Sequence, residues 1–318
     1  LASAPLSPAL AKPPKKRASQ ARREAMLFWL LIAPWIIGFI LLTLGPMIAS
    51  LYISLTRWNV LTAPVFIGLD NYIFILTRDS DFRQALKVTT IYSIFSIPIQ
   101  LMIALGLAIL LNEATKMVGL FRTLFYLPAV VAVVASAVLW QWLLNPDVGP
   151  INGFLRLFGI QGPKWFADPN WALPGLIIMS MWGVGGQMLI FLAGLKGIPK
   201  SLYEAGEIDG ATRVQRFFTI TLPMLSSTVF FNLVLGIIGS FQTFGSALVI
   251  SSARAGTPGG PLKSTLFYML YTWVKGFAET RMGYAAALSW ILFIIILIFT
   301  LITLRSSSLW VYYESDKK

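Results

Sequence analysis

Six uncharged, unbroken apolar runs govern what this chain can fold into: Ala25–Leu51, Val88–Leu111, Leu124–Leu144, Ala172–Leu195, Leu222–Ile250 and Ala285–Leu304. Each has at least the roughly 20 residues a helix needs to cross the hydrocarbon of a bilayer. None contains Asp, Glu, Lys, Arg or His. Backbone N–H and C=O groups find no water inside a membrane, so a spanning segment satisfies them within a helix or a closed barrel. Barrel strands alternate apolar and polar residues, and these runs do not alternate. The fold class that follows is all-α, a polytopic membrane protein with six transmembrane helices. The composition agrees: 57% of the 318 residues are hydrophobic and only 12% charged, where a soluble domain has roughly a quarter charged.

The same composition removes whole classes of chemistry. The chain has no cysteine and no histidine, which takes away disulfides, thiolate nucleophiles, imidazole bases and the usual zinc and haem ligand sets. No metal or cofactor is expected on this chain. A phosphate loop is missing too, since Lys200-Ser201 follows Pro199 where that loop needs glycine, and Lys263-Ser264 follows Leu262. The chain is therefore not expected to hydrolyse ATP itself. Proton-coupled carriers need an intramembrane group that titrates, and the spans hold none. Sodium coupling through the carbonyls of broken helices stays open. The formal charge of +12 reads as basic loops facing anionic membrane lipid, with no nucleic-acid partner.

Residues 1–24 carry four prolines and the basic runs Lys15-Lys16-Arg17 and Arg22-Arg23, and read as a disordered cytoplasmic tail. The apolar run after them exceeds a signal peptide's core of about 7–15 residues and is expected to stay in the mature protein. Residues 25–87 then form the first span and an outer loop, 88–305 a five-helix core, and 306–318 a cytoplasmic C-tail. Fifteen Lys and Arg fall on the side of the tails, the second loop (Lys116, Arg122) and the fourth (Lys196, Lys200, Arg213, Arg216), against ten on the other side. The positive-inside rule then puts both termini in the cytoplasm. The outer loops carry Trp58, Tyr72, Trp165, Trp171, Tyr271 and Trp273, rings suited to the headgroup layer. Asp79–Lys87 and Leu262–Gly276 are expected as short helices along the outer surface, capping a pathway or anchoring to the membrane.

Between the fourth and fifth spans, residues 196–221 form a polar loop whose middle reads Tyr203-Glu204-Ala205-Gly206-Glu207-Ile208-Asp209-Gly210-Ala211 and which runs into Ile220-Thr221-Leu222-Pro223. The pattern predicts two short helices with a break at Gly210, where glycine permits the turn. Ser201 and Glu204 have the spacing of a capping box that starts the first helix after Pro199. Leu202, Ala205 and Ile208 fall on one side, and small Ala205 and Gly206 admit a partner's surface closely, as a helix in a groove. Glu204 has two readings, a helix cap or a carboxylate that meets a basic side chain of a partner.

This loop resembles the signature of bacterial ABC-importer permeases, Glu-Ala-Ala-x3-Gly-x9-Ile-x-Leu-Pro. Glu204, Ala205, Gly210, Ile220, Leu222 and Pro223 stand at the family's spacing, while Gly206 replaces an alanine at roughly 1 kcal/mol of helix propensity. Phe66–Tyr72, Phe121–Pro128, Glu207–Ala211 and Met282–Leu288 are similar to the carbohydrate branch, the maltose and glycerol-3-phosphate type. The resemblance covers nearly all of the chain after residue 25. It implies a type I ABC importer permease of the bacterial inner (plasma) membrane that carries a sugar or related solute. It further implies a second homologous permease subunit, an extracytoplasmic solute-binding protein, and two ATPase subunits that hold ATP and magnesium and grip the coupling loops. On this chain the gripped residues would be Ser201, Leu202, Glu204, Ala205, Gly206, Ile208, Asp209, Gly210 and Ala211, with Ile220, Leu222 and Pro223 closing the loop.

For the solute, Ser240-Phe241-Gln242-Thr243-Phe244 in the fifth span offers neutral hydrogen-bonding groups beside flat rings, with Gln187 and Asn232 as further polar span residues. The competing reading of each is an interhelical hydrogen bond. Two rivals to the whole account are a sodium-coupled carrier acting alone, for which no inverted repeat is visible, and a membrane-embedded lipid-modifying enzyme. The second would need acids at the interface, and the nearest, Asp79 and Asp81, read as solvated loop charges.

Overall fold

A computed structural model of the protein describes residues 16–113, 117–255 and 258–312. Residues 1–15 of the expected tail, Lys116, Lys317 and Lys318 lie outside the described residues. The chain divides after Tyr52 into two units. The first is a single apolar rod made of α1 (Lys16–Phe39), a π-helical turn (Ile40–Leu44) and most of α2 (Gly45–Ser54). Residues 16–24 are thus helical where a disordered tail was expected. No proline follows Pro14 there, and Lys, Arg, Ala, Gln and Glu are good helix formers. The Gly45 N–H bonds the Ile40 carbonyl five residues back. This widened turn precedes Pro46, whose ring would strike the carbonyl four residues earlier in a regular helix.

The second unit begins with a two-strand hairpin, β1 (Thr56–Arg57) and β2 (Val65–Phe66), paired antiparallel with Thr56 opposite Phe66. After the short α3 (Asp70–Thr77), α4 (Ser80–Glu113) is the central rod. The separate surface helix expected over Asp79–Lys87 is instead the first turns of α4. Next come α5 (Val118–Val130) and α6 (Val133–Leu143), bent by 97°, then α7 (Pro150–Leu157), then α8 (Pro169–Met181) and α9 (Gly185–Gly197), bent by 46°. The loop helices α10 (Lys200–Ile208) and α11 (Arg213–Arg216), a π turn (Phe217–Thr221) and α12 (Leu222–Met224) lead into α13 (Ser226–Phe241) and α14 (Gly245–Ala255). Last are α15 (Tyr268–Trp273) and α16 (Met282–Trp310), which runs on through residues 306–310 of the expected tail. With each bent pair taken as one span, the helices long and apolar enough to cross a membrane number six among the described residues.

Packing explains why α4 is central. Its Ala104 and Ala108, fully buried one turn apart, let α9 come close with Met188, Phe191 and Leu192, as small residues do at helix contacts in membranes. The segment expected to lie along the outer surface, Leu262–Gly276, is largely inside: Leu266, Phe267, Tyr268, Leu270 and Tyr271 are all buried. Only its start, Leu262 and Lys263, is exposed, and the aromatics beyond fill the bundle. Trp165 is likewise buried and donates its indole N–H to Asn152 Oδ1 at 2.7 Å, so it locks a loop rather than anchoring in headgroups.

Candidate functional site

The polar loop folds as two helical segments joined at Gly210, and the joint is a backbone device. Gly210 sits at φ +75°, the Ala211 N–H bonds Gly206 O at 2.9 Å and the Gly210 N–H bonds Glu207 O at 3.1 Å, which is the double hydrogen bond of a Schellman stop. α11 then starts with a capping box, but at Thr212 and Gln215. The Gln215 N–H donates to Thr212 Oγ1 at 3.3 Å and the Thr212 N–H to Gln215 Oε1 at 2.8 Å. The box expected at Ser201 and Glu204 does not form. α10 begins two residues earlier, at Lys200, with Pro199 as its uncapped N-cap, so Ser201 already lies inside the helix. Glu204 is exposed and makes no side-chain hydrogen bond or ion pair among the described residues.

α10 therefore has two faces. Toward the protein, the Tyr203 hydroxyl meets Thr221 Oγ1 at 2.9 Å, and Gly206 faces Ile220 and Arg216, where an added Cβ would lie 3.1 Å from Ile220 Cδ1. Gly206 thus packs against the chain's own Ile220 and Arg216. Away from it, Leu202, Glu204, Ala205, Ile208 and Asp209 are exposed, Ile208 at 87%. Ala211, Ile220 and Leu222 are half-buried, and Pro223, exposed, follows a π turn in which the Leu222 N–H bonds Phe217 O. That is the same widening that precedes Pro46.

A second feature lies where the spans break. Val131 and Ala132 are extended between α5 and α6, Trp182-Gly183-Val184 separates α8 from α9, and Gln242–Phe244 is unwound between α13 and α14. Gly185 is required at its break, since a Cβ there would fall 2.5 Å from the Phe125 carbonyl oxygen. Beside the breaks is a cavity of about 210 Å³ lined by Tyr92, Ser136, Ser180, Trp182 and Ser246 among others. Of the polar residues expected along a solute path, none lines this cavity. Asn232 is fully buried and Ser240 buried, and both donate to carbonyls of their own helix, Thr228 O and Ile237 O. Gln187 Oε1 and Asn232 Oδ1 are buried without a partner. Gln242 is exposed, Thr243 is half-buried, and Phe244 packs against the Trp273 ring at 6.0 Å. The interhelical bond considered for such residues occurs at Gln141, which donates to Val249 O at 2.9 Å. Sequence reasoning missed the serines and Trp182. The glycines around Trp182 were the available signal.

Asp79 corrects another expectation. It is no solvated loop charge: it is buried, accepts from the Asp81 and Phe82 N–H groups at 2.9 and 3.0 Å as the cap of α4, and accepts from the hydroxyls of Tyr271 and Tyr284. Burial works against its charge, but these four donors outweigh it and hold the carboxyl below the ordinary aspartate value. Burial, and then the Asp79 carboxylate, push the Tyr271 hydroxyl far up, so it stays a donor. Asp81 is paired instead with Lys263 at 2.5 Å.

The family described as "Binding-protein-dependent transport system inner membrane component" matches residues 88–313. A probable ABC transporter permease protein, YesP, of Bacillus subtilis (strain 168) is 45% identical over 95% of this chain and 97% of its own length. The sn-glycerol-3-phosphate transport system permease protein UgpA of Agrobacterium fabrum is 34% identical over 91% and 97%, and the trehalose/maltose transport system permease protein MalF of Thermococcus litoralis 32% over 89% and 94%. Among solved structures, a chain of a bacterial ABC transporter involved in the import of the acidic polysaccharide alginate superposes with a TM-score of 0.76 at 24% identity. The match covers 92% of this chain and 98% of that one.

Proposed function

The chain belongs to the family of binding-protein-dependent transport system inner membrane components, as a permease subunit of an ABC importer, and we propose that it carries a sugar or related solute handed over by an extracytoplasmic binding protein. Relatives named for glycerol phosphate and for trehalose and maltose support that solute class. In the proposed assembly the chain pairs with a second, homologous permease, and two ATPase subunits hold ATP and its magnesium. The termini and α10 are proposed to face the cytoplasm, a reading that the distribution of Lys and Arg supports.

The observation that carries the coupling role is the outward face of α10. A short helix, stopped sharply at Gly210 and tied back through Tyr203, presents Leu202, Ala205 and Ile208 beside two acids, Glu204 and Asp209, whose side chains make no ion pair or hydrogen bond among the described residues. Such a face fits a groove with basic edges. Ser201 and Ala211 mark the two ends of the gripped segment, and Gly206, Ile220, Leu222 and Pro223 set its seat against the bundle. Movement of this lever then shifts the spans between inward-open and outward-open arrangements. The cavity at the helix breaks is the proposed middle of the solute path: hydroxyls from Tyr92 and three serines suit a sugar's hydroxyls, and the Trp182 ring its apolar face. Gln187, Asn232, Ser240, Gln242, Thr243 and Phe244 are proposed to continue the path along the same bundle.

In proteoliposomes holding the full importer, Glu204→Ala and Gly210→Pro should each abolish most ATP-driven uptake while the chain still inserts. Full uptake by both variants overturns the coupling role.

A further inference from the structure

We propose that a separate pocket at the hairpin end of the bundle binds an anionic saccharide unit, a polyhydroxylated ring carrying one carboxylate or one phosphate. The pocket has a volume of about 370 Å³, inside the roughly 300–1,000 Å³ range of small-ligand sites. It is formed by β1 and β2, the first turns of α3 and the start of α16, and so opens on the extracytoplasmic face in the orientation argued above. The inference rests on that orientation and on the sugar-import reading.

The walls are held by buried groups. Asn71 donates to Ser54 O at 2.9 Å and to Thr56 O at 3.0 Å, and Thr56 in turn donates to Ile53 O at 2.8 Å. The Gly283 N–H reaches Trp58 O at 3.3 Å, joining α16 to the hairpin. On this frame two guanidinium groups line the opening, Arg57 and Arg281. Arg281 is set over the Tyr284 ring, 4.4 Å from its centroid, and its carboxylate partner among the described residues, Glu279, stands off at 3.9 Å. Arg57 makes no ion pair among the described residues, and neither does Asp70, which lines the same pocket.

Two guanidinium forks against the single Asp70 carboxylate leave the lining net positive, with Arg57 in no ion pair among the described residues and Arg281 3.9 Å from Glu279, and the guanidinium plane matches carboxylate and phosphate alike. The rest of the lining selects for a sugar. Trp58 offers a flat face to ring C–H groups, and the Asp70 carboxylate accepts from hydroxyls. The hydroxyl-lined cavity at the helix breaks has no ionisable group except the Tyr92 phenol, so the anion is recognised at the mouth and not at mid-membrane.

The test is equilibrium binding to the full chain in neutral-lipid nanodiscs, titrated with galacturonate, glucose 6-phosphate and uncharged galactose. At least one anionic probe should bind saturably and galactose at least about tenfold more weakly. Arg57→Gln and Arg281→Gln should each weaken the anionic probe by about tenfold, the scale of one lost charge-assisted hydrogen bond. Preference between the two anions assigns carboxylate or phosphate. Both arginines are exposed, and size-exclusion profiles of the variants should match the parent. No binding by either anion, equal binding of galactose, or anion binding indifferent to both substitutions overturns the proposal. Because this readout needs no ATPase, its failure leaves ATP-driven uptake standing, and failed uptake by the assembled importer leaves the binding result standing.

Discussion

The two ends of α4, a helix of 34 residues and hence about 50 Å long at 1.5 Å per residue, carry charged groups treated in opposite ways. At the Ser80 end, the buried Asp79 takes four hydrogen bonds and ties α4 to α15 and α16. At the Glu113 end, α10 leaves Glu204 and Asp209 in the open and attaches through one hydroxyl pair, Tyr203 with Thr221, and one ion pair, Glu207 with Arg216 at 3.5 Å. A carboxylate with every lone pair committed is structure. A carboxylate on an exposed, apolar-flanked helix is available to a partner. The difference separates a rigid end, through which solute recognition is proposed, from a loosely attached end that is proposed to be moved by a partner.

The largest expected effect breaks the rigid end. Asp79→Ala removes a helix cap and orphans two tyrosine hydroxyls, which should cost about 3 kcal/mol or more of stability in detergent. Glu204→Ala should cost almost none. Comparable losses for the two would erase the contrast. A smaller effect appears with pH. Asp79 has its folded value held below the unfolded one, so its contribution is complete above the unfolded value of about 3.9 and fades only as pH falls through the folded value. Melting curves should therefore be insensitive to Asp79 ionisation at neutral pH, and Asp79→Asn should flatten the loss of stability below about pH 4. An Asp79-dependent loss between pH 6 and 8 would reverse the sign of that shift.

What the sequence made legible follows the range of the interactions. The six spans and the Gly210 stop depend on neighbours within one or two turns, so each is written locally in its own segment. The expected capping box fails because Pro199 itself takes the N-cap position, two residues before Ser201. Asp79 looked solvated because its partners stand 192 and 205 residues away, and no local pattern announces them. The buried third outer loop was hidden for a related reason, since Tyr and Trp suit a headgroup layer and a bundle interior equally well. The break at Val131-Ala132 has its local mark in Pro128, three residues earlier, a proline suited to kinking or ending a helix.

The smallest effect sharpens the loose end. Glu207 is 71% exposed on its side chain, and its contact with Arg216 at 3.5 Å is of the surface kind, worth about 0–1 kcal/mol before screening by salt. The seat of α10 should then depend on Tyr203 and the packing of Gly206 against Ile220, not on this pair. Glu207→Gln should shift the melting temperature hardly at all, while Gly206→Leu, which forces a branched side chain onto Ile220, should loosen α10 and expose it to protease. If Glu207→Gln instead releases α10 to proteolysis as readily, the ion pair is the hinge that holds the lever, and the two ends of α4 differ in degree rather than in kind.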